Sequence, residues 1–346
     1  MTSAVPDDTH VLRMTDCTGM LQHAKNSVPD PSEGYATDDN ARALVMAALL
    51  YEKTEEQKYL DLVFRYLSFL IYARSGGWFR NFMDYNRNFI EKKGSQDCFG
   101  RCILSLGFLA GRPGIPDGIR ETTGSLLEKC LPNCRELRFL RSGAYAAIGL
   151  GLWKKPQAVP LMRKLGAKIL DSYSQNSTDG WHWFENSVTY CNAVLPWSML
   201  AVYERTHDAK YLAAGIESLD FLLETTFEGS FFRPVGCKGW LQKGGAPAAY
   251  DQQPVEACGT LLACLAACRL TGKNNYRNRA CACLGWYTGK NTRHINMIDP
   301  ETGGCMDGIT PRGANRNEGA ESLISWMISS LALPNADGAI AASNPL

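Results

Sequence analysis

The chain has 346 residues, of which 45% are hydrophobic and 21% charged, and its formal net charge is +1 at pH 7. That composition suits a globular protein with a large core. Charges of both signs are interspersed, which argues against a nucleic-acid surface or a polybasic membrane patch. The first ten residues are polar and lack signal-peptide character, and no apolar run approaches the roughly 18 residues that span a bilayer. Of the 13 cysteines, Cys258, Cys264, Cys268, Cys281 and Cys283 sit on apolar helix faces, where a free thiol acts as a small hydrophobe in a reducing compartment. Neither Cys130 with Cys134 nor Cys281 with Cys283 has the second matched pair of a zinc site. The expectation is a cytoplasmic protein without metal.

In chain order, an apolar helix is expected over 41–50. It is followed by a short polar turn and an amphipathic helix in which Tyr59, Val63, Tyr66 and Leu70 share one face. The ten residues from Tyr51 (YEKTEEQKYL) return from Tyr203 (YERTHDAKYL) and, more weakly, from Cys268 (CRLTGKNNYR). Each copy ends an apolar helix and begins an amphipathic one. Further pairs are 98–110 with 119–131, 136–153 with 156–173, 191–202 with the helix carrying Leu212, Ile216, Leu219 and Leu223, and 255–268 with the helix carrying Tyr276, Ala280, Cys283 and Tyr287. A helix apolar all round is buried, and an amphipathic one is half-exposed. The last apolar helix, 320–333, would take 9–25 as its partner and close the series. Six helical hairpins that cannot bury their faces alone must stack or close. The expected fold is therefore all-α, a single (α/α)6 toroid over 1–346, with a disordered tail at 335–346.

The long connections 75–97, 176–190, 225–254 and 289–319 join an outer helix to the next inner one, so they gather at one end of the ring. They are rich in Gly, Trp, Phe, Asn and acids, which suits function better than disorder. In Gly34 to Arg42 (GYATDDNAR), one acid can cap the following helix, but Asp38 and Asp39 together exceed what a cap needs. The next cluster holds Trp78, Arg80 and Asn81, then Asp97 and Arg101 at i, i+4. Around 179–192, Trp181, Trp183, Glu185, Tyr190 and Asn192 suit a sugar, whose apolar face stacks on indole while its hydroxyls bond to carboxylates and amides. His182 reads as structural. Asp251, Gln252, Gln253 and Glu256 stand at the mouth of another inner helix, and Asp307, Arg316, Glu318 and Glu321 at the last.

Together these clusters resemble a bacterial carbohydrate-related domain with a DDNAR motif, found alone or fused behind glycosyltransferase domains, often near mannoside-processing genes. The resemblance rests on Tyr35 to Arg42 (YATDDNAR), Ser95 to Arg101 (SQDCFGR), Trp183 to Glu185, Asp251 to Pro254 (DQQP) and Asn315 to Glu321 (NRNEGAE), and it covers nearly the whole chain. Relatives carry an acid where this chain has Gln96, which weakens a catalytic role there. More distantly the chain is similar to the six-hairpin glycosidases and the N-acylglucosamine 2-epimerase-like enzymes. This resemblance implies a toroid with a sugar site at one mouth.

Acids that converge at the starts of several inner helices suit glycoside cleavage, which needs one protonated and one ionised carboxyl group. The candidate acids are Asp38, Asp39, Asp97, Glu185, Asp251 and Glu318, with Asp39 and Asp251 the preferred pair. Trp181, Trp183 and Tyr190 would stack on a sugar. Arg42, Arg101 and Arg316 would orient it. Tyr35, Trp78, Arg80, Asn81, Asn192, Gln252, Gln253, Glu256, Asp307 and Glu321 complete the expected contacts. The expected substrate is an oligosaccharide or small sugar, mannosides included. The alternatives are a sugar epimerase or isomerase, which needs a histidine pair that no motif supplies, a non-catalytic glycan-binding toroid, and an open helical scaffold. No cofactor motif is present.

Overall fold

The structure is a computed structural model and describes residues 5–333; the tail expected at 335–346 lies outside the described residues. Six inner helices form the ring: α2 (Thr37–Thr54), α4 (Gln96–Ala110), α6 (Leu140–Trp153), α8 (Val194–Thr206), α10 (Pro254–Thr271) and α12 (Ala320–Ala332). Each packs on the next, and α12 packs back on α2, so the ring closes. The outer layer is α3 (Gln57–Ala73), α5 (Asp117–Cys134), α7 (Val159–Asn176), α9 (Ala209–Thr226) and α11 (Asn274–Tyr287). Each of these packs on the inner helix before it.

The sixth outer helix differs from expectation. Only Thr9–Met14 is helical (α1), and it packs on α12. The chain then makes a two-stranded ribbon, Ala24–Lys25 with Val28–Pro29. Pro29 and Pro31 bar a helix from continuing there. The buried Asn40 ties this segment to the ring: its amide accepts from Met20 N at 2.8 Å and donates to the carbonyls of Met20 and Ala36 at 3.1 and 2.9 Å.

The internal repeat encodes one turn. Glu55, His207 and Gly272 hold the same place in the three copies and all adopt left-handed φ, at 58°, 54° and 70°. Their N–H groups bond to the carbonyls of Tyr51, Tyr203 and Cys268. The preceding Thr54, Thr206 and Thr271 hydroxyls donate to Leu50, Val202 and Ala267 and accept from the N–H of Glu56, Asp208 and Lys273. The threonine thus satisfies groups that a helix end would orphan. This turn reverses the chain from inner to outer helix, so all three copies lie at the C-terminal ends of inner helices.

Helix α10 is long and apolar enough to cross a membrane by length and composition, a correction to the reading that no segment approaches that length. Its apolar surface is covered by α8, α11 and α12, which accounts for residues as apolar as Leu261, Ala263 and Cys264 on every side.

Between α4 and α6 the backbones approach closely. A Cβ on Gly100 would meet the backbone of Ser142, and one on Gly107 would meet that of Gly149. Small residues permit such contact, and this pair of helices is the tightest joint of the inner ring.

Candidate active site

All six inner helices begin at the same mouth, where the long connections also gather. Positively polarised helix N-termini favour carboxylates there. The second and sixth residues of successive inner helices line up. In α2 they are Asp38 and Arg42, in α4 Asp97 and Arg101, and in α6 Arg141 and Tyr145; Glu321 is the second residue of α12.

Arg42 is the hub of this collar. Its Nη2 lies 2.6 Å from Asp39 Oδ1 and 3.3 Å from Asp38 Oδ2, and its Nη1 lies 2.6 Å from Glu321 Oε2. Beside it, Arg101 Nε lies 3.1 Å from Asp97 and 3.8 Å from Asp38, while its Nη2 donates to Cys191 Sγ at 3.2 Å. The Arg101 guanidinium sits 4.7 Å from the centre of the Tyr145 ring. Arg141 pairs with Glu185 at 2.7 Å and donates to the Tyr190 carbonyl and the Thr189 hydroxyl. On the far side, buried Glu256 accepts from the backbone N–H of Cys191 and Asn192 and, at 3.0 Å, from the Asn192 amide.

The acids of the collar are not equivalent. Asp39 is 4% exposed. Burial, opposed by Arg42 and reinforced by Asp38 and Glu321, pushes its carboxyl up to about 8. Glu321 is 39% exposed to the mouth. Burial raises it, but Arg42 and Arg101 prevail and hold it below the usual glutamate range. Three carboxyl groups around one guanidinium cannot all ionise at equal cost, so the proton settles on the most buried one. Burial also raises Glu256, against the hydrogen bonds from Asn192 and Cys191.

Below the collar a pocket descends the ring axis, with about 740 Å³ not filled by protein atoms, part of it open to solvent. Arg42, Arg101, Tyr145, Cys191, Asn192 and Glu256 border it, and apolar side chains line its depth. Trp197 forms its floor and also borders a second cavity at the opposite mouth, where Arg112 pairs with Glu52 and Arg269 with Glu204.

Asp38, Asp39, Arg42, Asp97, Arg101, Glu185, Asn192, Glu256 and Glu321 are thus brought together, with the exposed Tyr190 at their rim, 5.2 Å from the Arg141 guanidinium. Other expected residues lie elsewhere. Asp251 precedes α10, pairs with Lys238 at 3.0 Å and, unlike Glu256 one turn further on, is not part of the pocket lining. Glu318 turns outward into the seam between α1 and α12. There it accepts from the Thr302 hydroxyl at 2.9 Å, and its carbonyl accepts from His10 Nε2 at 3.0 Å; burial pushes its carboxyl up to about 7. Asp307 accepts from Gly319 N and Ser322 Oγ and so caps α12.

The aromatic expectation is also corrected. Trp183 is 0% exposed and Trp181 is buried, and their indole N–H groups donate to the carbonyls of Ser187 and Glu185. Both plug the loop against Phe221 and offer no face to a sugar. Trp78 stacks on Phe99 at 4.3 Å. Tyr35 is buried and donates to Asp16 at 2.5 Å. Arg80 lies 3.8 Å over the Phe89 ring, and Asn81 accepts from Ser95 N at 2.9 Å. Gln252 bonds Trp286 and Thr292, Gln253 precedes α10 as its N-cap, and Arg316 is exposed. Gln96, where the resembling family has an acid, accepts from the N–H of Arg138 and Phe139 at the entry to α6.

Arg141, Tyr145, Cys191 and Trp197 were missed in the sequence. Only the first two carried a signal, the alignment of α6 with α2 and α4, and it needs the helix starts to be known.

No protein-family model and no curated protein matches the chain. Solved structures do. A sugar epimerase from a ruminal bacterium superposes with a TM-score of 0.72 at 9% identity, over 94% of this chain and 95% of that one. Cellobiose 2-epimerase from Bacillus thermoamylovorans gives 0.71 at 10% identity, over 92% and 95%. The fold is that of the (α/α)6 toroids. An inactive variant of the α-1,6-mannanase of Salegentibacter sp., in complex with α-1,6-mannotetrose, gives 0.64 at 11% identity, over 93% and 94%. Each of these likenesses covers more than nine-tenths of the chain, and together they establish its six-hairpin architecture.

Proposed function

We propose that the chain is a carbohydrate-active enzyme that cleaves a glycosidic bond at the collar. Asp39 is the general acid and Glu321 the base or nucleophile. The observation that carries this reading is the placement of two carboxyl groups on opposite nitrogens of Arg42, one driven up to about 8 and the other held ionised. Two acids whose environments push their pKa values apart are the acid and base pair such chemistry requires. Asp38 and Asp97, both half-buried at the mouth, would accept hydroxyl hydrogen bonds from the sugar, and the Tyr145 and Tyr190 rings would flank it. The DDNAR motif, Asp38 to Arg42, is then the catalytic element of the resembling bacterial domain. The 13 cysteines are all free thiols and mostly buried, which supports a cytoplasmic, reducing setting.

The test is product analysis with manno- and gluco-oligosaccharides for the wild type, Asp39→Asn and Glu321→Gln. Sugar release that both substitutions abolish is expected; release untouched by either would overturn the assignment. The second reading is epimerisation or isomerisation of a reducing sugar, favoured by the epimerase structures among the similar folds. It calls for a base at the sugar carbon next to the carbonyl; no histidine lines the axial pocket, but His23 lies near enough to Glu321 and Asp307 for its charge to act on both, and is the candidate for that role. Uptake of solvent deuterium at C2 of free mannose or glucose would replace the hydrolytic reading with this one.

A further inference from the structure

The collar and the depth of the pocket are chemically different. The polar groups stand at the first turns of the inner helices. From Glu321 to Ile328, both on α12, the chain descends about 10 Å along the axis, and the walls become Val45, Leu104, Leu262, Ile324 and Ile328, closed below by Trp197. Two serines, Ser105 and Ser325, also face the well, and the Ser105 hydroxyl is already donated to the Cys102 carbonyl at 3.0 Å. A sugar ring lowered into this well would find partners for few of its hydroxyls, and each of the others would lose its water at a cost of about 1–3 kcal/mol.

One residue suggests that the space is kept open. At Gly100 and Gly107 a Cβ would strike the backbone of α6, so those glycines serve packing. Gly259, on the pocket-facing side of α10, is different: a Cβ there would meet only Ala193 Cβ, at 3.7 Å, an ordinary contact. Neither packing nor a positive φ demands glycine at that position, and glycine inside a helix costs about 1 kcal/mol relative to alanine. A side chain would occupy part of the well.

We propose that this well is a binding subsite for an apolar substituent of the substrate, an alkyl or aryl group carried by a sugar whose hydroxyls stay in the collar. The substrate class is thus an amphiphilic glycoside rather than a bare oligosaccharide. The arginines of the collar are already paired with carboxylates, and acids outnumber them, so the polar part is uncharged rather than a phosphorylated sugar. This inference rests on the carbohydrate reading of the collar.

The test is calorimetric titration of the full chain with methyl, butyl, hexyl and phenyl mannosides and glucosides, and with hexanol and phenol as sugar-free probes. Affinity should rise about fourfold for each added methylene until the well is full, and phenyl should outbind methyl. Gly259→Leu and, independently, Leu104→Trp should flatten that slope. A slope of zero in the wild type, or one that survives both substitutions, overturns the subsite. Cleavage of glycosides without any chain-length dependence overturns the subsite and leaves the enzyme. Hexanol binding that Gly259→Leu removes, without binding of any glycoside, supports the well and overturns the carbohydrate reading. Absence of binding by every probe overturns both.

Discussion

At the residue scale the chemistry centres on Arg42, which holds Asp38, Asp39 and Glu321 around one guanidinium. Asp39→Asn keeps the shape but removes the transferable proton. The expected loss is about 10²–10⁴-fold in kcat, with circular dichroism unchanged. The pH profile of kcat/KM should be bell-shaped. Its alkaline limb falls near pH 8 as Asp39 gives up its proton, and its acid limb falls below the usual glutamate range as Glu321 gains one. An alkaline limb that persists in an active Asp39 variant would assign the proton elsewhere. Stability carries the same signature. Asp39 rises from 3.8 to about 8 and Glu318 from 4.5 to about 7 on folding, so between those values the folded chain holds protons that the unfolded chain has released. The stabilisation these two groups contribute is then full below about pH 4 and is lost as pH rises towards 8. From pH 4 to pH 8 the urea midpoint of Asp39→Asn combined with Glu318→Gln should decline less than that of the wild type; an equal decline would place those protons elsewhere.

At the element scale, glycine has two different uses in the inner ring, and they predict opposite results. Gly107→Ala forces α4 and α6 apart at their closest approach and should cost about 1–3 kcal/mol by overpacking. Gly259→Ala meets no such obstacle and should be neutral or stabilising by up to about 1 kcal/mol. Equilibrium unfolding in urea distinguishes the two, and equal effects would contradict the packing described. The repeated turn also acts at this scale. Its threonine and left-handed residue recur at Thr54–Glu55, Thr206–His207 and Thr271–Gly272. The copies were recognisable as text because each must solve the same problem, the orphaned groups at the end of an inner helix.

At the scale of the whole molecule, closure of α12 on α2 makes the first and last inner helices neighbours. An inner helix is apolar on every side, so a ring missing one member exposes two buried faces at once. A chain ending at Gly319, without α12, should lose near-ultraviolet circular dichroism and bind an apolar dye along its length rather than lose one hairpin. A native-like spectrum for that truncation would show that the hairpins are independent.

The division between what sequence and tertiary structure determined follows from the range of the forces involved. Hydrophobic periodicity is local, so apolar inner helices, amphipathic outer helices and the six-hairpin toroid were legible from residues three and four apart, as was the gathering of long connections at one mouth. The acids that start inner helices, Asp38, Asp39, Asp97 and Glu321, were legible for the same reason. Which of them share a guanidinium was not, because Arg42 and Glu321 are 279 positions apart and meet only when the ring closes. Nor could sequence tell a tryptophan in a cleft from one in the core. Trp181 and Trp183 have the composition of a sugar platform, yet the fold spends them on plugging a loop, while Trp197, lost within an apolar helix, closes the floor of the pocket. Side-chain chemistry is written residue by residue, but burial and charge proximity, which set Asp39 and Glu321 on opposite sides of neutrality, exist only in the closed ring.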